Sequence, residues 1–195
     1  IVEQLPSNIV CQMHSNGEPT TCSYLEKAIK LLKEKDIITS FNTNGILLIE
    51  KANEIIDNLD TLVISVIEND IGGDDQFKIV KKFLEIKGNR KPFMIYRLLG
   101  NVGKREDLKE TLIDEIQRTN RWYNLAKDYH GLIATRILHS PMGSYNYQKK
   151  VTIPEVGFCL DLMNHLVINR QGEVFPCVRF DYNKINLLGN INNHS

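Results

Sequence analysis

Cys159 and Cys177 stand in the stretch "FCLDLMNHLVINRQGEVFPC", separated by twelve residues, Gly172 and four more residues. A glycine turn between strand-like runs folds a chain back on itself. Two thiolates brought together that way can share a soft metal, either zinc or the iron of an iron–sulfur cluster. Two unrelated buried thiols are the plain alternative. Other groups able to do chemistry lie at the ends of apolar bursts: Glu18 in "SNGEP", Asn44 in "FNTNG", and Ser65, a lone hydroxyl in "TLVISVI". A hydroxyl buried among Val and Ile needs a partner, which ligand or backbone can supply. Asn44 reads equally as a turn residue that tolerates the left-handed region. His14 and Arg97 are also placed at such ends, with an incidental turn histidine and an exposed salt bridge as their ordinary readings.

The elements that must position these groups follow from periodicity. Residues 8–13, 37–42, 61–67, 93–98 and 132–138 read as strands, and the run 61–67 is apolar on both faces, which means buried on both. Between them lie helical patterns. Leu25, Ile29 and Leu32 share one face, with Ser23 and Glu26 spaced as a cap. Ala52, Ile55, Ile56 and Leu59 mark a helix over 47–59, Phe77, Val80 and Leu84 another, and Leu108, Leu112 and Ile116 a long one reaching Tyr129. Strands alternating with helices imply βαβ units and a parallel sheet, either open and doubly wound or part of a barrel, with functional groups at the carboxyl ends of the strands. The alternation stops at the polar "GSYNYQKK", so a first domain over 1–145 and a second over 146–195 are expected. In the second, Leu166, Ile168 and Val174 form short antiparallel strands about the turn at Arg170–Gly172.

Composition narrows the function classes. Lys and Arg number 24, as do Asp and Glu, so no net field draws the chain to nucleic acid or anionic lipid. No apolar run approaches the ~18 residues of a membrane helix. Four cysteines without a signal peptide read as reduced thiols or metal ligands in a cytoplasmic protein. Cys11 and Cys22, with ten residues between them, read as structural. The chain opens on Ile1 at a strand-like pattern and stops within a polar phrase, so it is expected to be a fragment of a longer protein.

The C-terminal stretch resembles the start of the SPASM module, the auxiliary-cluster domain of many radical S-adenosylmethionine enzymes. The likeness lies in the Cys–Gly–Cys spacing and in "LLGNINNHS", which is similar to that module's "lGnI" phrase. The first domain resembles the same family. "GEP" at Gly17, Glu18 and Pro19 looks like its "GGEP" motif, with Asn16 in place of one glycine. "TNG" around Asn44 and "VISVIEN" around Ser65 look like the family's phrases after its third strand and along its fourth, with Ile67 and Glu68 where the family has an acid. The family's C-x3-C-x2-C loop is not in this sequence.

The resemblance implies an α/β fold, a partial (β/α) barrel of the radical S-adenosylmethionine type followed by a small β-hairpin cluster-binding module. It implies an oxidoreductase-like enzyme that reductively cleaves S-adenosylmethionine to a 5′-deoxyadenosyl radical, which takes hydrogen from a substrate. Gly17, Glu18, Pro19, Asn44 and Ser65 would line the cofactor pocket. An α-ammonium needs acceptors, Glu18 supplies a carboxylate, and Gly17 lets backbone come close. A [4Fe-4S] cluster would sit on the absent loop, and Cys159 and Cys177 would ligate an auxiliary iron–sulfur cluster, incomplete without further ligands. The implied partners are a peptide, protein or small-molecule substrate and an electron donor such as flavodoxin or ferredoxin, with neither membrane nor nucleic acid. These residues alone are expected to be inactive. A non-catalytic α/β scaffold with a zinc-binding hairpin for partner binding is the alternative, and a metal-free sugar- or phosphate-processing barrel a third.

Overall fold

The computed structural model describes residues 2–14, 17–68, 73, 75–98, 112–135, 165–176, 184 and 186–193. The chain divides into two compact units, one of Val2–His14 and Glu18–Ile137, the other of Ile1, Ser15–Gly17 and Leu138–Ser195.

The larger unit is a five-stranded parallel sheet in the order β1 (Val10–Gln12), β2 (Ile38–Thr43), β3 (Thr61–Val66), β4 (Phe93–Leu98), β5 (Leu132–Thr135). Its helices are α1 (Leu25–Lys33), α2 (Ala52–Ile55), α3 (Gln76–Lys87) and α4 (Leu112–Asp128). The core joins Ile29, Ile55, Phe83 and Trp122 from the helices to Phe41, Leu62, Ile64, Val66, Met94 and Tyr96 from the strands. Side chains alternate between the faces of a strand, and these strand residues are in step across the ladder, so all four helices pack on one face. A doubly wound sheet needs a reversal of strand order and helices on both faces. Neither occurs among the described residues.

The expected elements are present with different edges. Tyr24, not Ser23, caps α1, and it does so without a side-chain hydrogen bond. The helix expected over 47–59 is α-helical only at Ala52–Ile55. Three-residue bonds such as Leu48 N–H to the Gly45 carbonyl precede it, and Asp57 in the left-handed region (φ 65°) follows it. Ala52, Ile55, Ile56 and Leu59 are buried all the same. On α4, Ile116 is half exposed, and the face that packs carries Trp122, Leu125 and Ala126. The Trp122 ring meets Phe77 edge-on at 5.2 Å and lies 5.6 Å from Tyr96.

At the amino end of the sheet Asp60 takes the place of a ladder partner. Its Oδ2 accepts from the Thr39 N–H (2.9 Å) and hydroxyl (3.0 Å), and its Oδ1 from the Lys91 ammonium (2.7 Å). Thr39 is fully buried, so this carboxylate satisfies donors that water cannot reach.

In the smaller unit β6 (Val167–Ile168) and β7 (Glu173–Phe175) pair antiparallel, and β8 (Gly189–Asn190) pairs with β7. Gly172 closes the turn at φ 79°, where a side chain is strained. A Cβ there would also lie 2.4 Å from Asn192 Nδ2 and 2.9 Å from Asn190 Oδ1. Those asparagines hold the turn, both donating to the Gln171 carbonyl, at 3.1 Å from Asn190 and 3.0 Å from Asn192. The glycine of the cysteine spacing and the "GNIN" phrase thus pack against each other. Cys159 and Cys177 themselves lie outside the described residues.

Candidate functional site

Three separate stretches of chain meet at the carboxyl ends of β1, β2 and β3. Glu18 precedes a single 3-10 turn, Pro19–Thr21, with Pro19 at its first position, where a missing N–H costs nothing. The Glu18 carboxylate is the hub. Its Oε1 accepts from Thr20 N–H (3.0 Å), Thr20 Oγ1 (2.6 Å) and Thr43 Oγ1 (2.6 Å), and its Oε2 from Asn44 N–H (2.8 Å). A carboxylate offers about four acceptor positions, two on each oxygen, so three donors crowd Oε1 while Oε2 keeps a position open. Glu18 therefore has a structural task that the sequence reading did not foresee, fastening "GEP" to "TNG".

Asn44 is held on three sides. Its N–H goes to Glu18, its Oδ1 accepts from Ile46 N–H (3.0 Å), and its carbonyl accepts from Gln76 Nε2 (2.6 Å). The side-chain NH2 of Asn44 is the group left to meet a ligand. The left-handed residue of this turn is Gly45 (φ 78°) rather than Asn44, and a Cβ on it would come within 3.1 Å of Val80. Thr43 Oγ1 accepts from the Gly45 N–H (3.0 Å), completing the loop.

Gln76, at the start of α3, is the functional residue missed from the sequence. It is fully buried, and its amide makes three bonds to two separate stretches of chain. Nε2 donates to the carbonyls of Asn44 (2.6 Å) and Ser65 (2.7 Å), and Oε1 accepts from Ile67 N–H (2.8 Å). A polar residue on the buried side of an otherwise amphipathic helix is the signal that marks it. Through Gln76 the "VISV" strand end is tied to "TNG". The Ser65 hydroxyl, half-buried, meets no protein partner among the described residues. It lies on the face opposite the helices, beside its register partner Arg97. On that face too, Asn42 donates its N–H to His14 Nδ1 (3.3 Å), so a neutral His14 ring carries its hydrogen on Nε2. Gly17 has φ 136°, and a Cβ built on it would meet nothing within 4 Å.

Glu68, just past the end of β3, is committed elsewhere. Its carboxylate accepts from Arg121 (3.0 Å) and from the Trp122 indole N–H (2.7 Å), and the Arg121 guanidinium lies 4.7 Å from the Phe77 ring centre. It anchors α4 to the end of β3. Burial pushes the Cys11 thiol up, keeping it protonated, and Cys22 is exposed, neither being in a disulfide. Among the described residues no group of three or more His, Cys, Asp or Glu could hold a metal ion, and no helix is long and apolar enough to cross a membrane.

No protein-family model matches the chain, and no curated protein matches it. A solved structure similar to it is that of Streptococcus suis SuiB bound to S-adenosylmethionine, with a TM-score of 0.48 and 17% identity over 89% of this chain. The chain spans about half the length of that protein, 50% of which is covered.

Proposed function

We propose that the larger unit is a partial (β/α) barrel that binds S-adenosylmethionine at the carboxyl ends of β1–β3, as part of a radical S-adenosylmethionine enzyme. The observation that carries this reading is the Glu18 hub. "GEP", "TNG" and "VISV" each resemble a family phrase on their own, and Glu18 and Gln76 bond all three into one rim.

The residues present fit the methionine end of that cofactor. Glu18 Oε2 has an acceptor position for an α-ammonium, while the Asn44 amide and the Ser65 hydroxyl are donors suited to a carboxylate or ribose. Gly17 leaves open space where a side chain would stand. Pro19 stiffens the turn that aims Glu18. With a reduced four-iron cluster, S-adenosylmethionine supplies the radical that takes hydrogen from a substrate. The part of this chain is to bind and orient the cofactor. The face carrying His14, Ser65 and Arg97 is where a peptide, protein or small-molecule substrate would lie, and the hairpin unit with Cys159 and Cys177 would hold the auxiliary cluster.

Calorimetric titration of the full chain with S-adenosylmethionine tests the reading. Saturable binding is expected, weakened at least roughly tenfold in Glu18→Ala, which removes a charge-assisted contact. Absence of binding in the wild-type chain would overturn it.

A further inference from the structure

A cavity of about 270 Å³ opens at the opposite end of the sheet, before β4, lined in part by Lys87, Asn89, Arg90, Lys91, Tyr129 and His130. No motif of the sequence points to it. Three of these side chains are cationic, and the acids that balance them do so unevenly. Arg90 pairs with Asp57 (3.1 Å) and is fixed by the Lys87 and Ile86 carbonyls, and Lys91 pairs with Asp60 (2.7 Å). Among the described residues Lys87 forms no direct ion pair with a carboxylate. It is 5% exposed, and its ammonium, with three hydrogens to donate, meets one acceptor, the Gly88 carbonyl at 3.1 Å.

A buried cation this poorly supplied is costly unless something brings it charge and acceptors. Burial pushes the Lys87 ammonium down, the Arg90 guanidinium adds to that, and the Asp57 carboxylate, already paired with Arg90, opposes it only in part. The wall also includes Asn89, Tyr129 and His130, whose side chains can each donate a hydrogen bond, beside the apolar Pro92, Phe93 and Met94, and His130 follows α4 in the left-handed region (φ 52°). The surroundings suit a small, strongly hydrogen-bond-accepting anion, and the volume admits one with a short substituent.

We propose that this cavity is a binding site for a phosphate-sized oxyanion, free or as the end group of a small metabolite. It is separate from the candidate cofactor rim. The rim lies at the carboxyl ends of β1–β3 and the cavity at the amino end of β4, opposite ends of a parallel sheet whose β4 spans five residue steps of about 3.3 Å, roughly 17 Å. An oxyanion here would contact the turn that leads into β4 and the end of α4, whose Trp122 packs on β4 and holds Glu68.

The test is calorimetric titration of the full chain with inorganic phosphate at constant ionic strength set by chloride, repeated with glycerol phosphate. Saturable phosphate binding is expected. Lys87→Met, which keeps the stem and removes the ammonium, should weaken it at least about tenfold, and His130→Asn, compatible with the left-handed backbone, by a smaller factor. Equal or tighter binding of glycerol phosphate identifies a monoester as the ligand, and its exclusion identifies the free anion. No saturable binding beyond chloride, or a folded Lys87→Met that binds like wild type, overturns the proposal. If Lys87→Met does not fold, unchanged affinity in His130→Asn overturns it.

Discussion

Gln76 shows how one amide can govern a site it never touches as a ligand. It serves a donor and an acceptor at the end of β3 and a second acceptor in the Asn44 turn, all at least partly shielded from water. Gln76→Ala leaves those three groups unpaired and should cost about 2–4 kcal/mol in denaturant unfolding. Weaker S-adenosylmethionine binding should accompany it, because the rim loses its tie. Asp60 makes a prediction about pH. Burial opposes its charge, but the Lys91 ammonium and the Thr39 donors outweigh that and hold its carboxyl below the usual range. A carboxyl lowered by folding stabilises the fold above its unfolded value, about 3.9, and that contribution is lost as pH falls through the folded value. The stability gap between wild type and Asp60→Asn should therefore be widest above about pH 5 and shrink as the solution is acidified below about pH 4. A gap independent of pH would show that the carboxylate is not the source.

Among the elements, the turn at Gly172 is the most demanding. Positive φ and the approach of Asn190 and Asn192 both exclude a side chain. Gly172→Ala should cost at least about 2 kcal/mol locally, read as faster amide exchange at Leu188 and Ile191, which donate to Val174 and Gly172. Unchanged exchange would mean that the turn relaxes. In the sheet, helices on a single face leave the carboxyl-end groups of the other face, among them Ser65, on the side where no helix of the core packs. The sequence showed five strands and the helices between them, because period-two and period-3.6 patterns register burial directly. It overstated the helix at 47–59, since Leu48 is buried by consecutive turns rather than by a helical face. It also placed Ile116 on the packed side of α4, where the structure has Trp122.

At the scale of the whole molecule, the proposed function joins a sheet that would bind S-adenosylmethionine to a hairpin unit whose two cysteines would hold metal. Protein extended beyond both ends of this sequence should contain iron and acid-labile sulfide, lowered by Cys159→Ser and Cys177→Ser together while S-adenosylmethionine affinity at the sheet persists. Stoichiometric zinc without sulfide would favour the scaffold alternative instead. The chain's balanced charge, 24 of each sign, fits a protein whose recognition is local rather than driven by a global field.

By itself the sequence determined the alternation of strands and helices, the motifs at strand ends and the glycine between the cysteines, because each is a local consequence of side-chain type and spacing. Only the tertiary structure decided that the sheet winds in one direction with all helices on one face. It alone showed that Glu18 spends most of its carboxylate on the protein, that Gln76 ties the end of β3 to the Asn44 turn, and that buried Lys87 lines a cavity with a single hydrogen-bond acceptor among the described residues. Those outcomes depend on which distant groups share a buried volume, and hydrogen-bond partners 25, 26 and 32 residues apart leave no periodic trace along a chain.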